Sequence, residues 1–235
     1  LNPRDFIEDL AQCFIALVCR PDLHMLEFDP FPPQTAPVPD PQGAPPSTRL
    51  RLIEAAITCL DREGFSLTSL SGVAALAGVA KSTALHHFKD KVTLMEAVLH
   101  HTREHNRQGY RAAVESAPRG REMRAFGHTA WAMYKLPRNL AEIEIHLAGR
   151  ADKDLQVRIQ PGGIAKTDQA ERDFATVYQL AGLPAADAPT AYALGLAALR
   201  GLAIERTLLN NPTADAAAAL FVAALERGLI HRDTP

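Results

Sequence analysis

Residues 74–91 read AALAGVAKSTALHHFKDK, and this stretch is the strongest indication of the fold in the chain. Its apolar first part ends at Gly78, in a turn that glycine makes without steric penalty because it has no Cβ. A short helix is predicted from about Ala80 to Phe88, with Ala84 and Phe88 four residues apart on its inner face. A helix, a glycine turn and a second short helix together form the helix-turn-helix geometry.

The outer faces of this short helix carry polar side chains that can contact nucleic acid. Lys81 can donate to guanine acceptors, whereas Ser82 and Thr83 can bond base edges or phosphate. His86 is expected on the outer face of the helix, and His87 is expected near the nucleic-acid backbone. A solvated helix surface is the alternative interpretation, and it is the more common one for such residues outside this motif.

Helices are also predicted on both sides of the motif. Residues 48–63 form the first helix, and Gly64 stops it. The next begins near Ser69, a good N-cap residue. A long helix starts at about Lys91, whose charge opposes the helix dipole and therefore points to an external anion. Ser69 and Lys91 are accordingly predicted to contact phosphates.

The composition is typical of an all-α globular protein. The chain has 235 residues, of which 47 % are hydrophobic and 22 % charged, and aromatic residues are few. Alanine and leucine are abundant and long stretches lack β-branched runs, which favours helices. The net charge of −2 excludes a polycation. The three cysteines are expected to be free thiols in a cytoplasmic protein, and no apolar run is long enough to span a membrane.

Three regions are predicted along the chain. Residues 1–47 form an N-terminal extension, with a short amphipathic helix and a proline-rich linker. Residues 48–92 form the helix-turn-helix domain, and residues 93–235 form a larger helical domain. Breaks between its helices are predicted at Pro118–Gly120, Pro137, Pro161–Gly163, Pro184–Pro189 and Asn210–Pro212. The last two helices are apolar over much of their circumference, so they lie in the core or against another subunit.

Residues 48–99 resemble the DNA-binding domain of TetR-type transcriptional regulators. The positions that carry the resemblance are Gly64, Thr68-Ser69, Val73-Ala74, Ala77-Gly78-Val79, His87-Phe88 and Lys91. Four positions depart from the family pattern: Ala80 replaces the usual serine or threonine, Ser82 the usual glycine, and Ala84-Leu85 the usual Leu-Tyr pair. The resemblance implies a homodimer, formed through the last two helices, that binds a near-palindromic double-stranded DNA operator and represses nearby genes.

The resemblance also implies a small-molecule effector site, because the middle helices of that family enclose one. The residues predicted to line it are Phe126, Trp131, Tyr134, His146, Phe174 and Tyr178. Further candidates are Met123, His128 and Glu144. Aromatic residues at helical spacing are as readily plain core, so the set stays open between pocket and core.

Other classes of function find less support in the sequence. No GxSxG, P-loop or helix-opening GxGxxG motif is present, so no enzymatic activity and no cofactor are expected. His101 and His105 have the i,i+4 spacing of helical zinc ligands, but no HExxH frame or third ligand is evident, and no metal site is predicted. Two alternatives to the regulator remain: a helical protein-interaction module that has lost DNA binding, and a metalloenzyme that uses these two histidines.

Overall fold

The computed structural model describes residues 46–226, and within residues 160–169 it describes the backbone alone. This part of the chain is built of helices and contains no strand, which confirms the predicted all-α fold. The helices are α1 (Thr48–Leu67), α2 (Leu70–Leu76), α3 (Lys81–His87), α4 (Lys91–Ser116), α5 (Glu122–Tyr134), α6 (Pro137–Ala148), α7 (Lys153–Leu180), a short 3-10 helix (Ala185–Asp187), α8 (Ala188–Leu208) and α9 (Ala214–Glu226). The predicted N-terminal helix and the linker before residue 46 lie outside the described residues.

The helix-turn-helix consists of α2, α3 and the turn between them. The hydroxyl of Ser69 accepts the backbone N–H of Gly72 at 3.1 Å and caps the start of α2. Gly78 follows α2 with φ 66°, in the left-handed region that favours glycine. Ala84 and Phe88 anchor α3 to the hydrophobic core, since their exposed fractions are 0 % and 1 %. The short apolar face of α3 therefore fixes the direction of its polar faces.

Gly64 interrupts α1 instead of ending it, which corrects the predicted helix end. Its backbone adopts φ 74° and ψ 175°, and the chain resumes helical structure as far as Leu67. The carbonyl of Gly64 accepts the hydroxyl of Thr68 at 2.8 Å and the backbone N–H of the same residue at 3.3 Å. The extra turn persists because Phe65 packs against the core directly after the kink.

The core of the helix-turn-helix extends beyond the predicted domain boundary at residue 92. Leu52, Phe88 and Met95 are buried in it, together with Ile145 of α6 and Leu155 of α7. Two helices of the larger predicted domain thus complete the hydrophobic core of the smaller one. The division into two domains stays a prediction.

The remaining core lies between α4, α5, α7, α8 and α9. Most of the predicted breaks coincide with ends of helices, and Pro137 is the first residue of α6. The break predicted at Pro161–Gly163 is wrong, because α7 continues through it. Buried Leu155 before that point and buried Phe174 after it anchor both parts of α7. Such packing offsets the cost of a proline inside a helix, about 3 kcal/mol. No helix of the described chain is long and apolar enough to cross a membrane.

Candidate functional site

The outer surface of α3 brings the predicted DNA-contacting side chains together. Lys81, Ser82 and His86 are exposed, and Thr83 and His87 are partly exposed. All five belong to a helix whose inner face is buried, so they project from one fixed support. Ser69 is exposed as well, although its hydroxyl already caps α2. That these residues contact DNA stays a prediction.

Lys91 has a partner within the chain. Its ammonium donates to the backbone carbonyl of Phe65 and lies 3.8 Å from the centroid of the Phe65 ring. Burial lowers the pKa of Lys91, and the charge on Asp152 only partly opposes this. The neighbouring Asp90 caps α4 by accepting the backbone N–H of Thr93 at 2.6 Å. A lysine at the start of α4 is therefore explained by tertiary contacts, and no external anion is needed to account for it.

Two arginines of α1 that the sequence analysis did not single out lie beside the helix-turn-helix. Arg51 donates from Nη2 to the backbone carbonyl of Ala77, at the end of α2 where carbonyl groups lack helical partners. Arg49 is exposed, with its guanidinium 5.3 Å from the centroid of the Phe88 ring. The start of α1 thus adds positive charge next to α3.

A cavity of about 440 Å³ lies among the helices of the larger domain. This volume is in the range of small-molecule binding sites. Its lining residues come from α4 to α9: His100, Arg103, Glu104, Asn106, Arg107, Tyr110, Phe126, Gly127, Ala130, Tyr134, Glu142, Ala170, Asp173, Phe174, Tyr192, Gly195, Leu196, Leu199, Arg200 and Leu225.

Four aromatic side chains form a continuous wall of the cavity. The ring centroids of Tyr110 and Phe126 are 4.6 Å apart, and Phe174 is 5.4 Å from both Phe126 and Tyr192. Burial raises the pKa of Tyr110 well above its ordinary value and that of Tyr192 to about 12. Both hydroxyls are therefore uncharged at neutral pH, and this wall presents an apolar surface with protonated phenols.

A charged cluster occupies another part of the cavity. Oε1 of Glu142 lies 3.2 Å from Arg103 Nε and 3.6 Å from His146 Nε2. Arg200 Nη2 approaches the same oxygen to 3.9 Å. Burial raises the pKa of Glu142, but the hydrogen bond from His146 and the charges on the two arginines outweigh it and leave the pKa lowered. Glu142 is consequently an ionised carboxylate inside the protein.

A second ion pair lines the cavity one helical turn further along α4. Arg107 donates from Nε and Nη2 to the two oxygens of Glu104, at 3.0 and 2.7 Å. These hydrogen bonds are the main cause that lowers the pKa of Glu104 to about 2. Gln108 donates a further hydrogen bond to Glu104 at 2.9 Å. The carboxylate of this pair thus accepts three hydrogen bonds from its own helix.

Half of the six predicted pocket residues line the cavity, namely Phe126, Tyr134 and Phe174. Trp131 packs in the core and donates from Nε1 to Asp215 at 2.8 Å. Tyr178 is buried behind Phe174 at a centroid distance of 5.6 Å. His146 is absent from the lining and contacts the charged cluster through Glu142.

The further candidates do not line the cavity either. Met123 belongs to the hydrophobic core, and Glu144 accepts the backbone N–H of Phe65 at 3.2 Å. Sequence reasoning missed Tyr110, Glu142 and Arg200. For Arg200 a signal was available, since it is the single charged residue in the apolar run YALGLAALRGLA.

The histidine pair at i,i+4 is explained by packing between helices. His101 Nε2 lies 2.7 Å from Glu54 Oε1, and this hydrogen bond is the main cause that lowers the pKa of Glu54. Burial lowers the pKa of His105. Within the described residues no group of three potential ligands could hold a metal ion.

The family model for bacterial regulatory proteins of the tetR family matches residues 52–98, which cover α2, α3 and most of α1. The similarity to the TetR family thus covers the helix-turn-helix of this chain. The transcriptional regulator BetI of Burkholderia thailandensis is 36 % identical over 76 residues, which are 31 % of this chain and 39 % of BetI. TtgR of Pseudomonas putida is 34 % identical over 76 residues, 36 % of its length. The chain thus matches less than half of each of these relatives.

Solved structures are similar to this chain in fold over a longer range of residues, which includes most of the larger domain. The fatty acid degradation regulator FadR from Bacillus halodurans superposes with a TM-score of 0.65 at 14 % identity, over 80 % of this chain and 100 % of that one. A transcriptional regulator from Rhodococcus sp. Rha1 has a TM-score of 0.61 at 19 % identity, over 77 % and 97 %. The TetR family and the relatives named here are regulators and not enzymes, in agreement with the sequence analysis.

Proposed function

We propose that this protein is a cytoplasmic transcriptional repressor that binds a near-palindromic operator as a homodimer and leaves it when a small molecule occupies the cavity. The observation that carries the proposal is a TetR-family domain whose α3 exposes Lys81, Ser82 and His86. A helix of this kind fits the major groove of double-stranded DNA.

Four side chains on α3 or beside it offer contacts of known chemistry. The ammonium of Lys81 can donate to the O6 and N7 atoms of guanine. Leu85, whose exposed fraction is 44 %, replaces a hydrogen-bonding tyrosine with an apolar group that fits a thymine methyl. Ser69 and Thr83 supply short hydroxyl side chains for phosphate oxygens. The expected operator therefore contains a guanine and a thymine within each half-site.

Dimerisation is supported by apolar residues that α8 leaves exposed. Leu194 and Leu208 have exposed fractions of 43 % and 67 %. A dimer formed through α8 and α9 would present two copies of α3, about 34 Å apart for successive major grooves. A ligand releases the dimer only if it binds the DNA-free state more tightly than the DNA-bound state.

The first experiment is a titration of the full-length protein against labelled duplex DNA that flanks its own gene, followed by fluorescence anisotropy at low and high salt. We expect Lys81→Ala to weaken binding about 30-fold or more, because the dimer loses one base contact in each half-site and each contact contributes about 1–3 kcal/mol. Arg111→Ala is the control, because Arg111 is exposed in the C-terminal half of α4, where it pairs with Glu115 at 3.5 Å. The control should bind as the wild type does.

Two results would contradict the proposal: affinity no higher than for random duplex DNA, or equal losses of affinity in Lys81→Ala and Arg111→Ala. The second candidate function is the protein-interaction module, which the exposed Leu85 favours. DNA binding through phosphates weakens steeply with salt, whereas apolar protein contacts do not. A rise in transcription of the adjacent gene after deletion supports repression, and a fall supports activation.

A further inference from the structure

One carboxylate oxygen in the cavity faces two guanidinium groups. Oε1 of Glu142 is 3.2 Å from Arg103 and 3.9 Å from Arg200. Both arginines are permanently charged, so two positive charges share one negative charge. The side chain of Glu142 is only 8 % exposed, and charges in such a site are weakly screened by water. This cluster therefore keeps a surplus of positive charge.

Arg200 is the cation of this cluster that a ligand can engage. Its distance of 3.9 Å to Glu142 exceeds that of a hydrogen bond, and its guanidinium also lies over the ring of Tyr134, 5.9 Å from the ring centroid. Arg103, in contrast, is within hydrogen-bond distance of both Glu142 and His146. The side chain of Arg200 is 41 % exposed and lines the cavity. A carboxylate placed against its guanidinium gains a bidentate pair that Glu142 does not make in this arrangement.

The same helix supplies an apolar end at a defined distance. Tyr192 belongs to the aromatic wall and precedes Arg200 on α8 by about 12 Å along the helix axis. Gly195 lies between them, and a Cβ built on it meets no atom within 4 Å. Open space thus connects the aromatic wall with the guanidinium.

We infer that the cavity binds an organic monocarboxylate whose apolar body lies along α8 and whose carboxylate pairs with Arg200. The inference rests on the proposed function, since it names the class of effector for the same cavity. The aromatic wall takes the body through apolar contact, and the surplus charge near Glu142 takes the head group.

A cationic ligand fits the lining less well, even though Glu104 and Asp173 also belong to it. Glu104 already accepts hydrogen bonds from Arg107 and Gln108 on its own helix. The charge of Asp173 acts on Arg107 as well and raises the pKa of that guanidinium further. A cation at Glu104 would have to displace Arg107, and near Asp173 it would meet the positive charge of the same guanidinium.

The test uses isothermal titration calorimetry on the full-length protein with three probes that share one tail: phenylhexanoate, phenylhexanamide and phenylhexylamine. The carboxylate should bind at least 10-fold more tightly than the amide and the amine. Arg200→Gln should lower the affinity for the carboxylate to that for the amide. Arg206→Gln is the matched control, since Arg206 lies on the same helix, is 42 % exposed and pairs with Asp215. It should leave all three affinities unchanged.

Two further variants keep the test decisive if Arg200→Gln folds poorly. Glu142→Gln removes the competing carboxylate and should tighten binding of phenylhexanoate, and Gly195→Leu should fill the open space and abolish binding of all probes. Equal or tighter binding of the amide or the amine would overturn the inference, as would failure of all three probes at millimolar concentration. DNA affinity is measured separately: DNA binding without carboxylate binding refutes this inference alone, and the reverse refutes the proposed function alone.

Discussion

Gly64→Ala is expected to destabilise the protein through backbone strain. The glycine adopts φ 74° and ψ 175° inside α1, a combination that side chains other than glycine rarely reach. Contacts on both sides hold this conformation. Thr68 donates two hydrogen bonds to the carbonyl of Gly64, and Glu144 accepts the N–H of Phe65. An alanine therefore cannot relax without breaking hydrogen bonds.

The magnitude follows from two opposing terms. A residue other than glycine in this region costs about 1–3 kcal/mol. Alanine also restricts the unfolded chain, which recovers about 0.4–1 kcal/mol. The new Cβ would lie 3.4 Å from Glu144 Oε2, close to an ordinary contact, and adds little. The expected loss in the free energy of unfolding is about 1–2 kcal/mol, equivalent to a fall in Tm of about 2–8 °C.

Urea titration followed by far-ultraviolet circular dichroism measures this loss directly. The matched control is Gly72→Ala, at an exposed helical glycine of α2 whose added Cβ would likewise lie 3.4 Å from a side-chain oxygen, that of Ser69. The control should gain about 0.5–1 kcal/mol, because alanine is the better helix former. A Gly64→Ala variant as stable as the wild type would refute the reasoning that contacts with α6 and Thr68 impose the kink.

Three more predictions concern contacts that the structure alone reveals. Gly127→Ala places a Cβ 2.8 Å from Val222 Cγ1 and should lower the free energy of unfolding, measured by urea titration, by about 1–3 kcal/mol. Adding Val222→Ala to the same chain should recover part of this loss. Strictly additive losses would contradict the clash. Lys91→Gln should leave the salt dependence of DNA binding unchanged, because the ammonium is engaged within the chain. A salt slope lower by about two would instead place the Lys91 ammonium of each subunit on a phosphate. Burial raises the pKa of Asp215, but the hydrogen bonds that it accepts from arginine, tryptophan and lysine side chains outweigh this and leave the pKa below 3.8. The stability that Asp215 contributes is therefore fully present above pH 3.8 and is lost as the pH falls through the pKa of the folded state. In urea titrations at decreasing pH, the wild type should accordingly lose more free energy of unfolding than Asp215→Asn. Equal losses in the two proteins would disprove this prediction.

The helix-turn-helix could be predicted closely because its information is local. A short helix was predicted over residues 80–88, and α3 spans Lys81–His87. Ala84 and Phe88 are buried as their spacing requires, since two inward residues four apart suffice to orient so short a helix. The error at Gly64 is of another kind, because continuation of α1 depends on Glu144, 80 residues further along the chain.

By itself the sequence determined the helical class, the turn at Gly78 and the residues that α3 exposes, because periodicity and glycine act within a few residues of the chain. Only the tertiary structure decided where the cavity lies and which charges meet in it. Arg103, Glu142 and Arg200 come from three helices, and no spacing along the chain encodes their approach. It also decided that Trp131 is core and that Lys91 has a partner, because burial and pairing depend on which helix faces pack together.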